Sequence, residues 1–189
     1  MKSVRNKVYY ISLFFLSLLC LSACNVKSTR QLKKEAKSTY GPATVVSESK
    51  GKDKNTVVLR DKLQGFEYSI SSSLGDVSAD GASFGAWENT SCDFEVRLHE
   101  YAIENVRNDI DLLCTKHHAS WRTPEYYTKD VLLKLSVADA SDAKALGEEV
   151  AKLLQTQNMN NRMDGVVLYV QDMAENTLGQ VSLPNCTFQ

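Results

Sequence analysis

Gly81-Ala82-Ser83-Phe84-Gly85 has the G-x-S-x-G spacing, the first place in this chain where residue types suggest chemistry. Such a serine becomes a nucleophile when a strained strand-to-helix turn lifts its hydroxyl above a parallel sheet. Here Asp76, Ser78 and Asp80 stand upstream in place of a buried strand, and no helical pattern follows. A triad would have to draw on Asp109 or Asp111 and His117 or His118, all on one predicted helix. The residues therefore predict a glycine-flanked strand entry, with hydrolysis by Ser83 as the lesser alternative.

The histidines and cysteines are no more committal. His117 and His118 point about 100° apart on a helix, so they cannot easily converge on one ion. Neither H-x-x-x-H nor C-x-x-C spacing occurs. No metal-binding or cofactor-binding set is read. Cys92, Cys114 and Cys186 allow one disulfide with one thiol over. A strand from Cys92 to Leu98 with the following helix folded back over it would bring Cys114 near Cys92. Buried, reduced cysteines acting as small hydrophobes are the competing reading. Trp121-Arg122-Thr123-Pro124-Glu125-Tyr126-Tyr127 reads as a loop, and Trp121, Arg122, Tyr126 and Tyr127 are the residue types that dominate binding interfaces. The competing reading, and the one the residues favour slightly, is that aromatics there seal the edge of the core.

The most specific chemistry lies at the N-terminus. Lys2, Arg5 and Lys7 precede an apolar run from Val8 to Leu21, shorter than the roughly 20 residues that span a bilayer. Basic start, short apolar stretch and small residues are the parts of a secretory signal. The run ends in Leu21-Ser22-Ala23-Cys24, which resembles the lipobox of bacterial lipoproteins. The resemblance covers only these first 24 residues. It implies cleavage before Cys24, diacylation of the Cys24 sulfur, and a chain held on the membrane with its body outside the cytoplasm. The mature chain would then hold 166 residues.

Charge divides that chain. From Asn25 to Asn55 eight basic residues face three acids, a balance of +5, with almost no large apolar side chain. Such a composition predicts a disordered tether over 24–55. From Thr56 to Gln189 the balance is -9, which argues against nucleic acid as a partner.

Residues 56–189 are expected to form one acidic domain. Short strands are predicted at Thr56–Leu59, Phe66–Ile70, Ala82–Trp87 and Cys92–Leu98. The last is open to dispute, because Phe94, Leu98 and Tyr101 also fit helical spacing. Ala102, Val106, Ile110, Leu113 and His117 predict a helix, and Val131–Ala138 a central strand. A second helix from Ser141 to Gln157, with Ser141 as N-cap, and a hairpin within 166–183 complete the order. The class expected is α+β, a mainly antiparallel sheet with two helices packed on one face. The function expected is a non-enzymatic binding or interaction domain for a protein or envelope component. A small hydrolase using Ser83 and a solute-binding lipoprotein of a transporter are the alternatives.

Overall fold

The structure is a computed structural model that describes residues 26–79, 82–125 and 130–189, with backbone only over 76–79 and 82–86. The chain divides into two compact units, Met1–Phe94 and Glu95–Gln189. It is α+β, with two separate, mostly antiparallel sheets where one sheet was expected.

The first unit begins where a tether was predicted. Helix α1 spans Thr29–Tyr40 and is followed by β1 (Ala43–Lys50) and β2 (Lys54–Asp61). The prediction of disorder is therefore corrected from Thr29 onward. Ser28 caps α1 reciprocally: its Oγ accepts from Gln31 N, and Gln31 Oε1 accepts from Ser28 N at 2.8 Å. Thr29, Leu32 and Ala36 form a narrow buried stripe. Gly41, at φ 100, breaks the helix ahead of Pro42. Four of the eight basic residues that suggested a tether, Arg30, Lys33, Lys34 and Lys37, lie on a helix whose apolar side needs only two or three residues, and Lys50, Lys52 and Lys54 lie at the turn between β1 and β2. β1 is exposed from Thr44 to Lys50 and is held by its backbone pairing with β2, so it requires no apolar pattern.

Strands β3 (Glu67–Ala79) and β4 (Ala82–Cys92) complete a four-stranded antiparallel meander in the order β1-β2-β3-β4. Val57, Leu59, Tyr68 and Ile70 are buried. Tyr40 stacks on Phe94 with centroids 4.4 Å apart, and Tyr68 meets Phe94 edge-on at 4.9 Å.

The second unit contains helix α2 (Phe94–Lys116, from Glu95 on), β5 (Ala119–Arg122), β6 (Val131–Val137), α3 (Ala143–Gln155), β7 (Val167–Asp172), β8 (Thr177–Ser182) and β9 (Thr187–Phe188). The predicted strand Cys92–Leu98 is thus corrected: Cys92 ends β4 and Phe94 already starts α2. Helical spacing prevailed because Phe94, Leu98, Ala102, Val106 and Ile110 are all buried on one stripe. The sheet runs in the order β5-β6-β7-β8-β9. Only β6 and β7 are parallel, and α3 is the crossover between them. Leu132, Leu133, Leu135 and Val137 are buried, as a central strand requires. α3 covers β7, β8 and β9 through Leu146, Gly147, Val150, Ala151 and Leu154. Ser141 lies in a 3-10 turn ahead of α3, and Asp139 caps that turn, its Oδ1 accepting from Ser141 N at 2.8 Å.

Candidate functional site

Among the described residues, two side-chain clusters of the second unit bring polar groups together. The first surrounds β5. Trp121 and Arg122 belong to a strand, not to the loop expected of them. β5 pairs with β6, Trp121 opposite Leu135 and Arg122 opposite Lys134. The half-buried Trp121 donates from Nε1 to Asp111 Oδ1 on α2 at 2.7 Å, and the Arg107 guanidinium lies 5.2 Å from its ring centre. A hydrogen bond and a cation over the π face fix the indole against the helix. Arg122 turns the other way and pairs with Glu175 at 2.8 Å.

Arg122, Thr123, Pro124, Glu125, Lys134 and Glu175 line a polar cleft of about 520 Å³. Pro124 is buried and rigid, while Arg122 and Glu125 are exposed. Cations and carboxylates alternate around this cleft, a surface suited to polar groups of either sign. Tyr126 and Tyr127 lie outside the described residues.

The second cluster lies where α2 ends. His117 is 8% exposed. Its Nδ1 lies 3.3 Å from Asp142 Oδ1 and its Nε2 3.5 Å from Glu149 Oε2. The second contact is too long for a good hydrogen bond, and Nε2 is buried without a partner. Lys116 donates to both oxygens of Glu149 at 3.0 Å. That ammonium, ahead of the opposing effect of burial, holds the Glu149 carboxyl below its usual range. Asp142 and Glu149 approach opposite nitrogens of the ring, so the three do not converge on an ion. Among the described residues no group of three metal-ligand side chains is placed to hold one. His118, at φ 46, ends the helix in the left-handed region and breaks any continuity with His117.

The nucleophile candidates are poorly equipped. Ser83 sits within β4 opposite Ser78 of β3, and β4 continues as strand to Cys92, so no strand-to-helix turn follows it. Of the acids proposed as its partners, Asp111 is engaged by Trp121. The Cys92–Cys114 disulfide, one of two readings left open, is not formed, and Cys92, Cys114 and Cys186 are thiols. The strand-and-return geometry that suggested the pair is absent, because the helix already starts at Phe94, and its 20 steps to Cys114 rise about 30 Å. Burial, and then Asp111, push the Cys114 thiol up to about 11, and burial also raises Cys186. Thiols held protonated are weak nucleophiles.

Sequence reasoning missed the approach of Asp142 and Glu149 to His117, because 25 and 32 residues separate them along the chain. Ser28-Thr29-Arg30-Gln31 has the spacing of a capping box, a signal for α1 that the tether reading passed over. Cys24 lies outside the described residues. Among those residues no helix is long and apolar enough to cross a membrane. No protein-family model, curated protein or solved structure matches the chain.

Proposed function

We propose that the chain is an exported bacterial lipoprotein, anchored to the membrane by lipid on Cys24, with both units outside the cytoplasm. It serves as a non-enzymatic binding protein for a protein or envelope component. The observation that carries this reading is Leu21-Ser22-Ala23-Cys24, placed in register behind a basic start and a short apolar run. The polar cleft beside β5 supports the binding half of the reading, since its exposed Arg122 and Glu125 stand on a rigid strand end. The acidic balance after Thr56 makes nucleic acid an unsuitable partner. In the same reading α2 lies beside α3 on one face of the second sheet. Hydrogen bonds from Lys116 to Glu149 and from Asn105 to Gln157 support that placement.

Mass spectrometry of the purified protein tests the anchor. A diacylated Cys24 at the N-terminus is the expected species, and an unmodified Cys24 or a different cut refutes it. Arg122→Ala tests the cleft. The Arg122–Glu175 pair is exposed and contributes about 0 to 1 kcal/mol, so Tm should hardly move while capture of a crosslinked envelope partner falls. Unchanged capture removes the cleft from the proposal.

A further inference from the structure

The structured N-terminal region has a consequence for how the first unit meets the membrane. The chain is pinned to the first sheet at Lys27, before α1 begins. Lys27 N donates to Ser72 Oγ on β3 at 2.9 Å, and Asn55 Nδ2 on β2 donates to the Lys27 carbonyl at 2.9 Å. Ser72 Oγ in turn donates to Glu88 Oε1 on β4 at 2.7 Å. The Lys27 ammonium binds Glu35 Oε2 of α1 at 2.9 Å, which raises its pKa and keeps it charged. Lys27 thus joins α1 to three strands.

Only Asn25 and Val26 separate Cys24 from this fastening, and even a fully extended chain covers only about 10 Å over the three steps from Cys24 to Lys27. A 30-residue tether would have let the first unit wander far from the bilayer. A two-residue leash does not. A lipid on Cys24 would hold the start of α1 within little more than the distance over which surface charge acts in physiological salt, about 8 Å.

The face of α1 suits that position. Arg30, Lys34 and Lys37 recur at helical spacing on its exposed side, away from the buried Thr29, Leu32 and Ala36. The other charges of the helix are engaged: Lys33 with Glu48 at 2.7 Å, and Glu35 with Lys27. Arg30, Lys34 and Lys37 form no ion pair among the described residues. Their stripe is about 10 Å long at the helical rise.

From the pinned leash and the unmatched cation stripe together we infer that α1 is a membrane-facing surface, laying Arg30, Lys34 and Lys37 on the anionic headgroups of the leaflet that carries the Cys24 lipid. This inference rests on the lipoprotein reading. It adds that the first unit is held against the bilayer in a fixed orientation.

The test uses the full chain, purified in detergent and reconstituted into vesicles of phosphatidylcholine, with or without phosphatidylglycerol. A water-soluble acylating reagent labels lysines, and peptide mass spectrometry reads Lys34 and Lys37 against the exposed Lys144 in the same sample. About fivefold slower labelling of Lys34 and Lys37 on the anionic vesicles, abolished by high salt, is the expected result; each cation near such a surface is favoured by about that factor. Equal rates on both vesicles overturn the inference. Slowing that is the same on neutral vesicles also overturns it, and points to a protein or a second copy covering the stripe. The same spectra report Cys24. An acylated Cys24 with equal rates sinks the stripe and leaves the anchor standing. An unmodified Cys24 sinks the anchor, and salt-sensitive slowing on anionic vesicles alone would still support the stripe.

Discussion

His99 is 3% exposed, and burial alone pushes its imidazole down to about 4 from an ordinary 6.5. Above about pH 6.5 the ring is neutral in both folded and unfolded chains. As the pH falls through that value the unfolded chain takes up the proton first, so the folded state loses stability progressively between 6.5 and 4. The loss should approach about 3 kcal/mol. Urea titrations across that range should show it, and His99→Gln should flatten the dependence; an unchanged slope would assign the acid sensitivity elsewhere. Trp121 belongs to the same scale. Its indole is tied to Asp111 and lies under Arg107, so truncation removes packing together with a hydrogen bond. Trp121→Ala should therefore cost about 2 kcal/mol in urea denaturation, less than the roughly 3 to 5 of a fully buried aromatic. A change below about 0.5 kcal/mol would return Trp121 to the recognition role first assigned to it.

At the scale of elements, the packing of α3 on its sheet depends on Gly147. A Cβ there would come within 3.0 Å of Cγ2 on both Val170 and Val181. Alanine gains about 1 kcal/mol of helix propensity over glycine, while overpacking a filled core costs about 1 to 3. The contacts are branched side chains of two buried strand residues with stiff rotamers, so the cost should prevail. Gly147→Ala should lower stability by about 1 kcal/mol in equilibrium unfolding, and a gain would mean that the sheet can yield. The elements themselves were legible to different degrees. β6 and α3 were visible because their buried faces repeat with the period of the element. The start of α2 was not, because Cys92 to Leu98 alternates as well as it spirals, and only packing of Phe94 against Tyr40 and Tyr68 decides between the two. α1 was hidden by its lysines, and the Ser28–Gln31 spacing of its cap was passed over.

On the scale of the whole molecule, the first unit extends to within a few residues of Cys24, and this alters what a protease should find. A tether would be cut rapidly by trypsin after Arg30, Lys33, Lys34 or Lys37. In α1 the backbone is hydrogen-bonded, and a buried stripe holds it on the sheet. These four sites should resist cleavage under native conditions, and the α1 amides should exchange slowly with deuterium. Prompt cleavage within 30–37 would show that the helix is only marginally docked. The candidate site follows the same logic. Trp121 and Arg122 were legible as interface residue types, but not as neighbours on a strand that turn apart, one toward Asp111 and the other toward Glu175.

What the residues determined unaided were local properties: the α+β class and most of the elements after Ala102. Each depends on side chains close together in the chain, where period and spacing carry the physics. Tertiary structure alone decided the rest. Two sheets replaced one because strand partners are chosen across loops, by matching of backbone edges that leaves little trace in composition. The basic segment folded because a sheet was present to cover Leu32 and Ala36, a surface that no window of local sequence contains. His117 met Asp142 and Glu149, and Lys27 met Ser72 and Asn55, for the same reason: those contacts form only after the chain has returned on itself.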